Sequence, residues 1–327
     1  MKCACVAAAV IVLGASGSLA SAQDYPNKPV RFVMPYAVGG AAELFARTIA
    51  QKLTEILGKQ VIVDARPGAN GIIGTEIAAK SPADGYTLYM GNTGPLVINP
   101  SLYQKLPYDS VRDFAPISQG TLYPYILIGN SGVKAKNLSE LIALAKARPG
   151  ELSYASAGIG SSPHLAGELF ALMAGIKIVH VPYKGSAPAM TDVIGGQVPL
   201  MFNTISTSLS FVNAGRLRAF AVTGRKRSPL LPDLPTMDEL GLKGYDVTSW
   251  QGVLAPAGTP RPIIDKLHKS IVSALKSKDV IELLTVQGDA ELVGSTPEQF
   301  AALIKSELAM YTTLIKEAGI RTEEMGR

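Results

Sequence analysis

From Val30 to Leu57 the spacing of apolar positions changes its period. A continuous run, Val30 to Met34, breaks at Pro35, passes Gly39-Gly40, and opens into a helical pattern with Phe45, Ile49, Leu53, Ile56 and Leu57 on one face. This predicts a strand, a glycine turn and a helix. The first backbone N–H groups of such a helix have no partner inside it, and glycine lets a ligand approach them, so the junction is a candidate seat for an anionic group. The same glycines would equally serve an ordinary strand-to-helix turn.

Short apolar runs and helical patterns then alternate. Val30 to Met34, Gln60 to Asp64, Tyr86 to Met90 and Phe114 to Ser118 predict strands, with helices after the first two and a Gly91-Asn92-Thr93-Gly94 turn after the third. Tyr125 to Gly129, Leu152 to Ser156, Lys177 to Val181, Pro199 to Phe202 and Leu217 to Val222 form a second set with helical segments between them. Trp250 to Ala255 predicts one more buried strand, a fifth for the first sheet, after which the chain is helical. The segments near Gly120 to Tyr125 and near Tyr245 to Trp250 would join the two halves.

Helix starts are marked by Asn137 with Glu140, by Thr259-Pro260, and by Thr296-Pro297-Glu298-Gln299. The last helix carries Phe300, Ile304, Leu308, Tyr311 and Ile315 on one face up to Gly319, which suits packing on the first sheet.

The amino-terminal segment reads differently. Lys2, the apolar run Ala4 to Leu13 and the small residues Ala20-Ser21-Ala22 match an export signal cleaved before Gln23, and the run is well short of the roughly 20 residues that span a bilayer. Residues 1–22 are thus expected to be removed and the protein to be periplasmic. Cys3 and Cys5 would leave with them, so no thiol, disulfide or cysteine metal site is expected in the mature chain. Losing Lys2 takes the formal charge from +5 to +4, with no run of five like charges, and nucleic acid is not an expected partner. The length calls for two domains.

The usual catalytic signatures are missing from the sequence. Gly158-Ile159-Gly160-Ser161-Ser162-Pro163 nearly matches a dinucleotide fingerprint, but proline holds the third-glycine position and no acidic residue follows about 20 positions on, which argues against a nicotinamide cofactor. What remains is a second helix start suited to anions, at Ser161 and Ser162. No Walker A sequence, nucleophile elbow or His-Glu-x-x-His is present. Of the three histidines, His180 and His268 read as structural, and His164 as a support for the Ser161-Ser162 loop or a ligand contact. No metal, cofactor or enzymatic activity is expected.

The segments YPNKPVRFVMPYAVGGAAELFAR, ARPGANGIIG, SPADGYTLYMGN, YASAGIGSSPHLAGELF, HVPYKGSAPAMTDVIGGQV and APAGTPRPIIDKL, in this order, are similar to those of the Bug receptors, the periplasmic substrate-binding components of tripartite tricarboxylate transporters. The resemblance runs from Tyr25 to about Gly319. It implies an α/β, type II periplasmic-binding-protein fold: two domains around a ligand cleft, the first formed by 23–122 and 247–327, the second by the inserted 123–246. It also implies a monomer that captures a small carboxylate, through backbone groups and waters, for the transporter's membrane subunits. Input to a membrane sensor kinase, or an enzyme on the same scaffold, are the alternatives. Carried over by position, the ligand-binding residues would be Tyr36, Gly39, Gly40, Ala41 and Glu43 in the first loop, Asn92 and Thr93, then Ser156, Gly160, Ser161, Ser162 and Asn203. Val38 stands where the family loop has proline, and Glu43 and Asn203 stand where aspartate is common, so Glu43 is expected to turn to solvent, cap its helix or reach into the cleft.

Overall fold

A computed structural model of the chain describes residues 25–287 and 289–317. The export signal, both cysteines and Gly319 lie outside the described residues. The first elements are β1 (Val30–Met34), α1 (Ala41–Leu57), β2 (Val61–Ala65), a 3-10 turn (Ala69–Gly71), α2 (Ile72–Ala79) and β3 (Thr87–Asn92). A π-helical turn (Gly94–Ile98) and α3 (Asn99–Leu102) lead into β4 (Phe114–Asn130). Then come α4 (Leu138–Ala147), β5 (Ser153–Ser156), α5 (Ser162–Ala174), β6 (Val179–Pro182), α6 (Ser186–Ile194), β7 (Leu200–Thr204), α7 (Ile205–Asn213) and β8 (Leu217–Val222). The described residues finish with β9 (Thr248–Pro256), α8 (Arg261–Leu275), α9 (Lys278–Ile281), a second π-helical turn (Glu282–Gln287), β10 (Glu291–Leu292) and α10 (Pro297–Glu317).

The strands follow the order β2-β1-β3-β9-β4-β7-β5-β6, with β10 and β8 also paired to β4. On one side β2, β1 and β3 are parallel, on the other β6, β5 and β7 are parallel, and antiparallel β9 and β4 stand between them. Two expectations change here. Phe114 to Ser118 and Tyr125 to Gly129 are not separate strands but the two ends of the 17-residue β4. Gly120 and Pro124 made the intervening stretch read as a break, yet register shifts between Pro116 and Ser118 and between Gln119 and Thr121 absorb the irregularity. The turn expected after β3 is helical, beginning at Gly94.

Four apolar clusters fill the layers. Phe45, Ala46, Ile49, Ala50 and Leu53 of α1 and Ile263, Leu267 and Ile271 of α8 pack over Val30, Phe32, Met34, Leu88 and Met90. Ile56, expected on this face, is 41% exposed. The 17 residues of α1 span about 25 Å and the five of β1 about 17 Å, so the last turn overhangs the sheet. Phe300, Ile304, Tyr311 and Ile315 of α10 cover the opposite face around Tyr89, Trp250 and Leu254. In the second lobe α4 and α5 pack over Tyr154, Leu200 and Phe202, and α6 over Ile126, Ile128, Ala155 and Met201.

The caps follow the sequence at two of three places. The Glu140 N–H donates to Asn137 Oδ1 at 2.9 Å, and Thr296 and Gln299 bond each other's N–H groups reciprocally. Thr259 does not cap: α8 begins at Arg261, and the Thr259 hydroxyl turns back to the Pro256 carbonyl at 2.8 Å.

Candidate functional site

In both lobes the parallel strands point their carboxyl ends toward the middle of the molecule, where ligands of open α/β sheets bind. Met34, Ala65 and Asn92 end the strands of one lobe, and Ser156, Pro182 and Thr204 those of the other. The loops that follow these ends carry the candidate residues.

Asn92 is the hub of the first lobe. Its Oδ1 accepts from the Tyr36 hydroxyl at 3.1 Å and from the Gly94 N–H at 3.2 Å, and its Nδ2 donates to the Trp250 carbonyl at 2.9 Å and the Tyr123 hydroxyl at 3.2 Å. The Thr93 hydroxyl accepts from the Ser249 hydroxyl and the Trp250 N–H, both at 3.1 Å. The second lobe joins through Ser162, whose hydroxyl lies 3.5 Å from that of Ser249. Burial holds the Tyr36 and Tyr125 hydroxyls well above their ordinary pKa, so both remain protonated donors. Tyr36, Asn92, Thr93 and Ser162 thus share one network of neutral hydroxyls and amides.

A second contact crosses the lobes at Gly160. Its φ is +77°, and a Cβ built there would stand 2.7 Å from Asn99 Oδ1 and 2.9 Å from Asn70 Nδ2. Those two amides bond each other, Asn70 Nδ2 to Asn99 Oδ1 at 2.9 Å. Asn70, Asn99, Tyr123 and Ser249 are residues that the sequence reading missed. Only the Gly68-Ala69-Asn70-Gly71 run signalled anything, and Ala69 and Asn70 do adopt positive φ there.

Ser156 and Ser161 serve their own loop. The Gly158 N–H donates to Ser156 Oγ at 3.1 Å, the Ser161 hydroxyl donates to the Gly158 carbonyl at 2.7 Å, and the His164 N–H donates to Ser161 Oγ at 3.3 Å. His164 supports this loop as well, its Nδ1 accepting from the Gly160 N–H at 3.2 Å. Its ring stacks on that of His180 at 4.1 Å, and His180 Nε2 is 2.6 Å from Ser156 Oγ. Burial depresses the two imidazoles to about 4 and about 3, His164 further lowering His180, so the stack is neutral at neutral pH. The fold therefore pairs histidines that stand apart in sequence.

The first loop is closed by its own acid. Glu43 Oε2 accepts from the Gly39 N–H at 2.7 Å, and its Oε1 accepts from Arg47 Nε at 2.6 Å. The side chain therefore caps the turn that leads into α1, with Gly39 at φ +99° and Gly40 as the residue before Ala41. The hydrogen bond from Arg47, then that from Gly39, holds the Glu43 carboxyl below its usual pKa. Asn203 stands apart from the Asn92 network: it is buried at the end of β7, and its Nδ2 donates to Thr207 and Ser208 of α7 at 2.8 and 3.0 Å. Two surface recesses, of about 460 and 340 Å³, are lined by Ser131, Arg218 and Asp233 and by Tyr103, Ser110 and Leu308, and neither includes a residue of the Asn92 network.

Two α/β lobes meeting at loops on their strand ends define a two-lobed solute-binding protein. No helix among the described residues is long and apolar enough to cross a membrane. The chain belongs to the tripartite tricarboxylate transporter family receptors, whose family model matches residues 45–320. It is 39% identical over 302 residues to the protein BugT of Bordetella pertussis (strain Tohama I), with 92% of each chain covered. Among solved structures it is similar to R. palustris Rpa4515 with adipate, at 37% identity and a TM-score of 0.87, covering 91% of this chain and 99% of that one. MatC (Rpa3494) from Rhodopseudomonas palustris with bound malate is 30% identical with a TM-score of 0.83, over 89% and 100% of the two chains.

Proposed function

We propose that this receptor captures a small carboxylate between its lobes and delivers it, without turnover, to the membrane subunits of a tripartite tricarboxylate transporter. The observation that carries the reading is the uncharged network from Tyr36 through Asn92, Thr93 and Ser249 to Ser162, which joins loops of both lobes. Hydroxyls and amides of this kind hold a carboxylate by directed hydrogen bonds and leave no fixed cation to prevent release. Similar chains with adipate and malate support the ligand class. The loop Tyr36 to Ala41, with the free N–H groups that open α1, would take one carboxylate near Gly40 and Ala41; Ser156, Gly160 and Ser161 would shape the facing wall.

In the same reading residues 1–22 are a cleaved signal, 23–122 and 247–327 make the first domain, 123–246 the second, and the mature protein is a periplasmic monomer. Release of bound solute by denaturing freshly purified protein, followed by mass spectrometry, tests the proposal. A carboxylate is the expected solute, and a panel of acids should then raise the melting temperature. At about 100 times Kd a ligand adds roughly 2.7 kcal/mol, a shift of a few degrees. Stabilisation by sugars or metal ions alone would reject the assignment.

A further inference from the structure

Among the described residues two buried amides keep a polar atom without a hydrogen-bond partner near the strand ends: Nε2 of Gln251 and Oδ1 of Asn203. Gln251 has the better-defined setting. It is 3% exposed and lies in β9 opposite Asn92 of β3 and Thr121 of β4. Residues directly opposed in an antiparallel pair project from the same face, about 5 Å apart at Cβ. Gln251 therefore extends the row formed by Asn92, Ser249 and Tyr123. The Gly120 position lies against the ring of Phe45 and the Gln251 carbonyl, which puts this row beneath the first turns of α1.

The amide's oxygen is engaged by its neighbour. The Thr121 hydroxyl donates to Gln251 Oε1 at 3.1 Å. The N–H of Nε2 is thus the free group. A buried donor without an acceptor destabilises a fold, whereas an apolar side chain of similar size carries no such penalty. Such a group is accounted for when something that binds there brings the acceptor.

We propose that Gln251 is a specificity-determining residue of the solute site, its Nε2–H donating to a carboxylate oxygen of the bound solute. The inference rests on the carboxylate reading above and adds to it a residue outside the loops assigned by resemblance. A neutral donor there accepts a carboxylate readily. A carboxylate side chain in its place would repel one and would instead accept a hydrogen bond from a carboxamide.

Titration calorimetry of the full mature chain with succinate, malate, glutarate and adipate identifies the strongest binder, which is then compared with its monoamide in the wild type, Gln251→Leu and Gln251→Glu. Gln251→Leu should leave the ligand-free melting temperature no lower than wild type while weakening the acid about tenfold or more. Gln251→Glu should shift the ratio of diacid to monoamide affinity about tenfold or more toward the monoamide. Unchanged affinity in Gln251→Leu with a lowered ligand-free melting temperature would make the residue structural and overturn the inference. So would an unchanged ratio in Gln251→Glu, and in both cases the carboxylate reading survives. Failure of these four acids and of a panel of monocarboxylates to bind the wild type would overturn that reading together with this one.

Discussion

At position 43 the sequence admitted three orientations, and the structure selects one by satisfying a donor. The Gly39 N–H lies outside the hydrogen-bonding pattern of α1, and the Glu43 carboxylate, four residues on, supplies its acceptor while Arg47 balances the charge. A side chain held in this way sets the loop's shape. Glu43→Gln retains an oxygen for the Gly39 N–H, so the affinity ranking of monocarboxylates and dicarboxylates is expected to match that of the wild type. A ranking that moves toward dicarboxylates in Glu43→Gln would show instead that the charge reaches the bound solute. His164 teaches the same lesson, since its place beside the Ser161-Ser162 loop was legible from spacing but its stack on His180 was not.

Among the elements, the pairing of α10 with β9 carries an unusual acid. Glu307 of α10 accepts a hydrogen bond from Trp250 Nε1 at 2.6 Å. Burial, with a smaller contribution from the charge of Asp246, raises its pKa from 4.5 to about 7 against the opposing effect of Trp250. Tyr311, a buried phenol, lies near it, and Asp246 is paired with Arg225 near the surface. Because the folded pKa lies above the unfolded one, the folded state binds more protons between about pH 4.5 and pH 7, and stability falls as pH rises through that window. Glu307→Gln keeps the oxygen that meets Trp250 and removes the ionisation. It is expected to stabilise the protein at pH 8 by about 1–3 kcal/mol and to have little effect near pH 4.5. Thermal unfolding of both proteins across that range checks the sign.

For the whole molecule the decisive feature is the approach of two loops from different lobes. Gly160 meets Asn70 and Asn99 with no room for a Cβ. Ligand binding shifts an open population toward the closed one only as far as it favours that state. A saturating carboxylate should therefore reduce the radius of gyration of the wild type in solution scattering. Gly160→Ala places a methyl between the loops at a φ of +77°, so it is expected to lower stability by about 1 kcal/mol and to block most of that compaction. Equal compaction in wild type and Gly160→Ala would show that closure does not bring these loops together.

The sequence by itself determined the alternation of strands and helices, because each layer buries one face and the periods of 2 and 3.6 are written in the apolar positions. It located the glycine turn before α1 and the helix start at Ser161-Ser162, since both follow from backbone donors at helix ends that local residues must satisfy. The continuity of β4 was hidden, because Gly120 and Pro124 break a local pattern while partner strands on both sides supply the hydrogen bonds that keep the strand intact. Tertiary structure alone brought Asn92 to Ser249, Gly160 to Asn70, and Gln251 beneath α1. These residues stand far apart along the chain, and no local propensity encodes which hydrogen bonds form when two distant strand ends meet.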